Sequence, residues 1–261
     1  MTVQLHETRF GGFLYVSFEE KKETNDWGQL QTKHVYSMRR EDEEFFGEEC
    51  DSVTGIIKNT EDTSYLMDWA MNLANKTGRA FAAKDVQINS IKTGVEIHGL
   101  IENYIKKGVI AKDNKPFMNW YHYVGKDTDW RASEVYVFDN IYNYGGTIDA
   151  ISWNPEKECY VVHDFKTKKT SSYNGKPNQV FQKDRCQIAA YSRALRHMIS
   201  KYYPVLEGRI HYIMRDSNKV EVQHVDLGHY EDIFNKSWLL YDALKNDSYK
   251  NTKSLVVKGV V

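Results

Sequence analysis

The sequence predicts an α/β protein with helices layered on one sheet. Three observations carry this. Ile97, Leu100, Ile101, Tyr104 and Ile105 recur at the spacing of one buried helix face. Two apolar runs, residues 145–153 and 158–166, flank Asn154-Pro155-Glu156-Lys157, a turn composition that joins neighbouring strands. From that helix onward the order is helix, three strands, helix, two strands, helix, which places helices around a single sheet.

Each element follows from its local pattern. Residues 1–60 read as strand-like and irregular, with Gly11-Gly12 set between apolar runs as a hairpin turn. Residues 39–51 are dominated by charge and read as a solvated loop or helix. Residues 52–57 lead into a helix over 65–74, with Asn59, Thr60 or Asp62 as its cap. The next helix spans about 84–107 and stops at Gly108. A short helix surrounds 117–123. Strands are expected at 133–139, 145–153 and 158–166, then a Lys/Ser/Asn-rich loop over 168–179 and a helix over 182–200. Strands at 209–215 and 219–225 and a helix over 230–246 complete the fold. These divide the chain into an N-terminal extension (1–80), a core (81–247) and a tail (248–261).

Composition limits the function classes. The chain has 261 residues, 41% hydrophobic and 27% charged, which excludes wholesale disorder. With 35 Lys+Arg against 36 Asp+Glu it is not a histone-like polycation. A local basic groove for phosphates stays open, since such affinity does not depend on total charge. Cys50, Cys159 and Cys186 lie far apart and form no C-x-x-C pair, against a zinc ribbon, an iron–sulfur cluster or a disulfide scaffold. With no signal-like start and no run of about 20 apolar residues, the expectation is a soluble intracellular protein.

The chemistry concentrates in Gly145-Gly146-Thr147-Ile148-Asp149 and in His163-Asp164-Phe165-Lys166-Thr167. Strand alternation puts Asp164 and Lys166 on one face, with His163 on the other as a structural residue. A buried carboxylate costs several kcal/mol unless it is paired or metal-bound. Asp149 is a second acid in an apolar strand, and the hairpin brings the two strands together. Two such carboxylates make a hard oxygen site for Mg²⁺ or Mn²⁺. Lys166 is then placed to orient or deprotonate an attacking water, or to stabilise charge on a phosphate. A surface Asp–Lys pair is the plainer alternative. His98 and Glu102 stand at i and i+4 beside the apolar stripe, and Gln187 and Tyr191 repeat that spacing on the later helix. Ordinary core-boundary pairs would look the same. Lys168, Lys169, Lys176, Lys183 and Arg185 supply either a phosphate track or a solvated loop. Trp69, Trp120, Trp130 and Tyr173 are candidates for base stacking, with core packing as the competing fate.

In order, Gly94-x-x-x-His98 with Glu102, G-G-T-I-D ending at Asp149, D-F-K-T (Asp164 to Thr167) and Gln187-x-x-x-Tyr191 form a set. The set resembles the RecB-like branch of the PD-(D/E)XK nuclease superfamily. Within that branch it looks most like the exonucleases of mitochondrial genome maintenance and related phage exonucleases. The S-V-T-G-I-I and L-M-D-W-A segments are similar to the helical lead-in of such phage proteins. The resemblance covers about residues 52–246. It implies a restriction-endonuclease-like core, a central mixed sheet flanked by helices. It implies Mg²⁺ or Mn²⁺ held by His98, Asp149, Asp164 and the backbone carbonyl of Phe165. Lys166 matches the catalytic lysine, and Asp149, Asp164 and Glu102 share the catalytic assignment. Gln187, Tyr191, Thr167 and Lys168 are expected to contact substrate, and Glu134 to take an auxiliary acidic position. Asp164 stands where many members have Glu, and both occur. The cysteines of the iron–sulfur-bearing branch are missing.

The expected function is a metal-dependent deoxyribonuclease. It is read as an exonuclease on single-stranded DNA or DNA ends, serving replication, recombination or repair, in the host cytoplasm if phage-encoded. The alternatives are a nucleic-acid-binding or scaffold protein that keeps the fold without cleaving, and a metal hydrolase of some smaller phosphoester.

Overall fold

A computed structural model describes residues 1–7, 13–24, 30–61, 64–170, 182–198 and 204–246. Among these, nine strands join in one mixed sheet: β1 (Thr2–Glu7), β2 (Phe13–Thr24), β3 (Leu30–Arg40), β4 (Cys50–Ser52), β5 (Asp129–Asp139), β6 (Tyr144–Asn154), β7 (Cys159–Lys168), β8 (Val205–Met214) and β9 (Val220–Val225). Six helices flank it: α1 (Val53–Thr60), α2 (Ser64–Thr77), α3 (Ala82–Lys107), α4 (Lys115–Tyr123), α5 (Gln182–Met198) and α6 (Leu227–Lys245). The hydrogen-bonded order is β1-β2-β3-β4-β6-β7-β8-β9, with β5 on the remaining edge of β6. The β4–β6 and β7–β8 pairs are parallel and the others antiparallel.

One irregularity of pairing positions the site. β4 meets β6 at Tyr144 and Gly145. β7 takes over the same edge only from Ala150 to Asn154. Gly146 to Asp149 therefore have β5 on one side and no strand in register on the other. Backbone groups on such an edge need partners from side chains or solvent.

Helices cover both sheet faces. On one face Ile148, Ile151, Val162, Ile210 and Tyr212 pack with residues of α1, α5 and α6, among them Ile56, Ile188 and Phe234. On the other, Ala150, Phe165 and Ile213 pack with Ile97 and Ile101 of α3 and Phe117 and Trp120 of α4. Trp120 and Phe117 are fully buried, and each buried side chain of this size contributes about 1.5–3 kcal/mol. Alternation breaks at the open edge: Ile148 and Ile151 face the first core, while Ala150 faces the second.

The helix ends follow their local chemistry. The Ser52 side chain accepts from the Gly55 N–H at the start of α1. Asn114 caps α4 through Phe117, Asp226 caps α6 through His229, and Gly108 closes α3 at φ 69°. Three expectations change. Residues 53–60 form a helix of their own, in which Asn59 and Thr60 bond back to the Gly55 and Ile56 carbonyls instead of capping the next helix. Arg39–Asp51 is neither one loop nor a helix, because it contains the end of β3, exposed turns and the start of β4. The first core strand starts at Asp129, four residues earlier than expected. β1 and β2 pair antiparallel as a hairpin requires. The Gly11-Gly12 turn, Asp62, Lys176, Tyr173 and the tail after 246 lie outside the described residues. Among the described residues no helix is long and apolar enough to cross a membrane.

Candidate functional site

Asp149 occupies the last position of the open β6 edge and supplies by side chain what a strand partner would supply by backbone. Its Oδ2 accepts from the Phe165 N–H at 2.7 Å. His98 Nδ1, reaching in from α3, lies 3.6 Å from the same oxygen. The Phe165 ring anchors this junction, edge-on to Trp120 at 5.6 Å and to His98 at 6.0 Å. The hairpin thus brings Asp149 beside residues 164–166, as the sequence predicts.

Asp164, Lys166 and Lys168 point toward α5. Asp164 is 2% exposed. The Lys166 ammonium lies 2.9 Å from both Asp164 oxygens and donates to Oδ1 and, at 3.1 Å, to Gln187 Oε1. Gln187 Nε2 in turn donates to Tyr191 Oη at 3.1 Å. Burial raises the Asp164 pKa; Lys166 opposes the shift, and the charges of Asp149 and Asp184 add to it. Burial works against the Lys166 charge, but Asp164, Asp184 and Asp149 outweigh it and hold the ammonium charged.

The glycines that lead this strand make room for aromatic rings. A Cβ at Gly146 would stand 2.2 Å from the Tyr191 ring, and one at Gly145 would stand 2.5 Å from Cγ of Tyr36. Only glycine lets both rings lie against the backbone here, Tyr36 at the end of the β4 pairing and Tyr191 at the start of the open edge. Tyr36 Oη then bonds Thr147 Oγ1 at 2.9 Å.

Glu134 forms a third acidic corner. Its neighbours Ser133 and Val135 pair with Ala150 and Ile148, so it lies opposite Asp149. It has φ 54°, a left-handed backbone that is uncommon for a non-glycine residue and that costs free energy. The Gln4 side chain bonds the Glu134 carbonyl and the Tyr136 N–H, holding the backbone in that shape. Burial first, then the charges of Asp149 and Glu102, push the Glu134 carboxyl up to about 7.

Other predicted residues are placed differently. Glu102 is half-buried and holds Lys106 at 2.6 Å. Thr167 faces α3: a Cβ on Gly94 would lie 3.4 Å from its Oγ1, on the sheet face away from Lys166. Lys168 points inward, 3.8 Å from Asp184 and over the Tyr212 ring, and burial lowers its pKa. Lys183 pairs with Glu61 at 3.3 Å, and Arg185 donates to Tyr230 Oη. The expected lysine track is therefore largely folded onto the protein's own groups. Trp120 is core and offers no stacking face, whereas Trp69 is 43% exposed. His163 is structural as read: it bonds Ser152 at 2.7 Å and His211 at 2.8 Å in full burial. Asp184, absent from the predicted set, accepts from Tyr212 and contributes to the field on Asp164 and Lys166.

Among the described residues no three His, Cys, Asp or Glu side chains form a ready-made metal cluster. Asp149 is turned to the Phe165 amide and Asp164 to Lys166. The donor set nevertheless suits a hard divalent ion. Asp164 Oδ2 is buried and makes no hydrogen bond of good geometry, facing the Lys166 ammonium at 2.9 Å as an ion pair. Among the described residues Asp149, beside it, accepts from the Phe165 amide and faces the His98 imidazole at 3.6 Å.

No protein-family model matches the chain, and no curated protein matches it. A solved structure titled "Crystal structure of SSO0001" aligns with 66% of this chain and 70% of its own at 13% identity, with a TM-score of 0.33. At that distance the function rests on the residues themselves.

Proposed function

We propose that the protein is a divalent-metal-dependent deoxyribonuclease with a restriction-endonuclease-like core. It would hydrolyse phosphodiester bonds as an exonuclease on single-stranded DNA or DNA ends. One observation carries the reading: the strand-free edge of β6 brings Asp149 next to the Asp164–Lys166–Gln187–Tyr191 chain.

Asp149, Asp164 and His98 would hold Mg²⁺ or Mn²⁺. The bound ion supplies Lewis acidity and lowers the pKa of water. Lys166 faces three carboxylates and acts as a fixed positive charge. Its task is to stabilise charge developing on the phosphate, ahead of removing a proton. Gln187 orients the ammonium and is itself held by Tyr191. Glu134, opposite Asp149, is the carboxylate positioned to take a proton from an attacking water.

The test is cleavage of labelled single-stranded and duplex oligonucleotides with Mg²⁺, Mn²⁺ or EDTA. Wild type should cleave only with metal, and Asp164→Asn should not cleave. Wild-type rates in folded Asp164→Asn would refute the site. Glu102 engaged by Lys106 and Asp164 engaged by Lys166 favour a second reading, a nucleic-acid binder that does not cleave. Calorimetric titration with Mn²⁺ separates the two. Binding that is lost in Asp149→Ala supports the enzyme, and oligonucleotide binding without Mn²⁺ binding supports the binder.

A further inference from the structure

Two cavities border α1, and the smaller reaches the candidate site. The smaller, about 140 Å³, is lined by Gln187 and Lys183 on one side and by Thr54, Lys58 and Glu61 on the other. The larger, about 450 Å³, shares Thr54 and Lys58 and extends to Lys33, His34, Asn59 and Tyr241. One end thus lies at the side chain that orients Lys166, and the other between β3 and α6. Its size falls within the range of clefts that take a nucleotide-sized ligand.

The chemistry of the lining selects the ligand class. Hydroxyl, amide and ammonium donors dominate, the groups that contact phosphate and sugar in nucleic-acid complexes. Two carboxylates along the path are already paired. Asp51 is held by Lys33 at 2.8 Å, Lys245 at 2.7 Å and Tyr241 at 2.7 Å, and Glu61 is held by Lys183. Glu23 lines the larger cavity on the side of Lys33. Lys58 is exposed where the two cavities meet. Among the described residues no carboxylate lies within ion-pair reach of it. α1 itself is fixed at both ends, by the Ser52 cap and by the Glu61–Lys183 pair.

We infer that this groove along α1 carries the substrate strand on one side of the scissile phosphate, with Lys58 on a backbone phosphate where the cavities join. The inference rests on the nuclease reading and adds the path of the strand. It also replaces the lysine track expected after Lys166 with a different cation.

The test uses a fluorescein-labelled single-stranded 20-mer, read by anisotropy in EDTA so that binding is seen without cleavage. Lys58→Ala should weaken binding and reduce the slope of log K against log salt by about 0.7, the loss of one phosphate contact on a single strand. Lys236→Ala, which removes an exposed charge on α6, is the control for net charge. Photocrosslinking of a 5-iodouracil-substituted 20-mer should place adducts in the peptides of His34 or Tyr241. A Lys58→Ala slope equal to that of wild type, or adducts confined to α3 and β5, would overturn the path. If wild type cleaves no DNA with Mn²⁺, the nuclease reading itself fails, which is a separate result from a misplaced path.

Discussion

Replacing Gly146 by alanine tests how the open edge is filled. A Cβ there would stand 2.2 Å from Cε1 of Tyr191, 2.9 Å from Cδ1 and 3.1 Å from Cζ. Ordinary contact begins near 3.4 Å, so the ring must retreat by about 1 Å. It has little room, since Tyr191 is 5% exposed and sits among Ile188, Ala190 and Ala194 in the core. Overpacking of this kind costs about 1–3 kcal/mol, and a clash this short points to the upper end. The displacement also propagates. Tyr191 Oη accepts from Gln187, and Gln187 accepts from Lys166, each at 3.1 Å. A shift of about 1 Å at a reacting group lowers rates on the order of 10²-fold. Urea unfolding followed by circular dichroism reads the first effect, and DNA cleavage with Mn²⁺ reads the second. The double variant Gly146→Ala/Tyr191→Leu separates them. Removing the ring should restore much of the stability, while activity stays low because Gln187 has lost its partner. If Gly146→Ala unfolds at the wild-type urea concentration with wild-type activity, the packing of Tyr191 on this strand is wrong, and so is the chain from Tyr191 to Lys166.

Two further predictions concern stability and do not depend on the activity. His163 and His211 are fully buried, and both titrate below the ordinary histidine value. For His211 burial, then Arg209 and His224, brings the pKa to about 3. The unfolded chain takes up protons as pH falls through about 6.5, and the folded chain does not. The contribution of this pair should therefore be full above about pH 7 and decline on acidification from 6.5 toward 3, His211 alone accounting for about 3 kcal/mol by pH 4, while the raised Glu134 and Asp164 carboxyls act in the opposite sense. Urea unfolding of wild type and His211→Phe between pH 4 and 8 isolates this contribution, and a stability difference between the two that does not change with pH would contradict it. Asp139, fully buried, accepts from Arg193 at 2.8 Å and from the Ile141 and Tyr142 amides, tying β5 to α5. Asp139→Ala takes one carboxylate from Arg193, which keeps Glu231 at 3.1 Å, and removes the acceptor of the Ile141 and Tyr142 amides, and should cost about 2 kcal/mol. Mn²⁺ affinity should be unchanged in the folded fraction, because Asp139 is not among the groups around Asp149 and Asp164.

Much of the fold is local and was legible for that reason. The apolar stripe of α3, its stop at Gly108, the β6–β7 turn and the helix carrying Gln187 and Tyr191 each depend on residues close in sequence. The shared face of Asp164 and Lys166 follows from strand alternation alone. The open edge of β6 does not. It arises because β4, about a hundred residues earlier in the chain, pairs with only two residues of β6 before β7 takes over, and no local pattern encodes that handover. The glycine pair preceding Asp149 reads as a mark of something special, but Tyr36 and Tyr191, which require it, come from opposite ends of the chain. Asp184 looks like an ordinary acid in a first helical turn until Lys168 and Tyr212 close on it. Lys58 sits in a short helix whose neighbours across the groove come from β3, α5 and α6, so its place at the junction of two cavities is set entirely by tertiary packing.

The most direct test of the central claim compares wild type with Lys166→Met on end-labelled single-stranded and duplex DNA, with Mn²⁺ or EDTA, after unfolding curves confirm that both proteins fold. Metal-dependent loss of the single strand by wild type, absent in EDTA and reduced at least a hundredfold in Lys166→Met, is the predicted result. Cleavage that persists in EDTA, or a folded Lys166→Met that cleaves as fast as wild type, would contradict it.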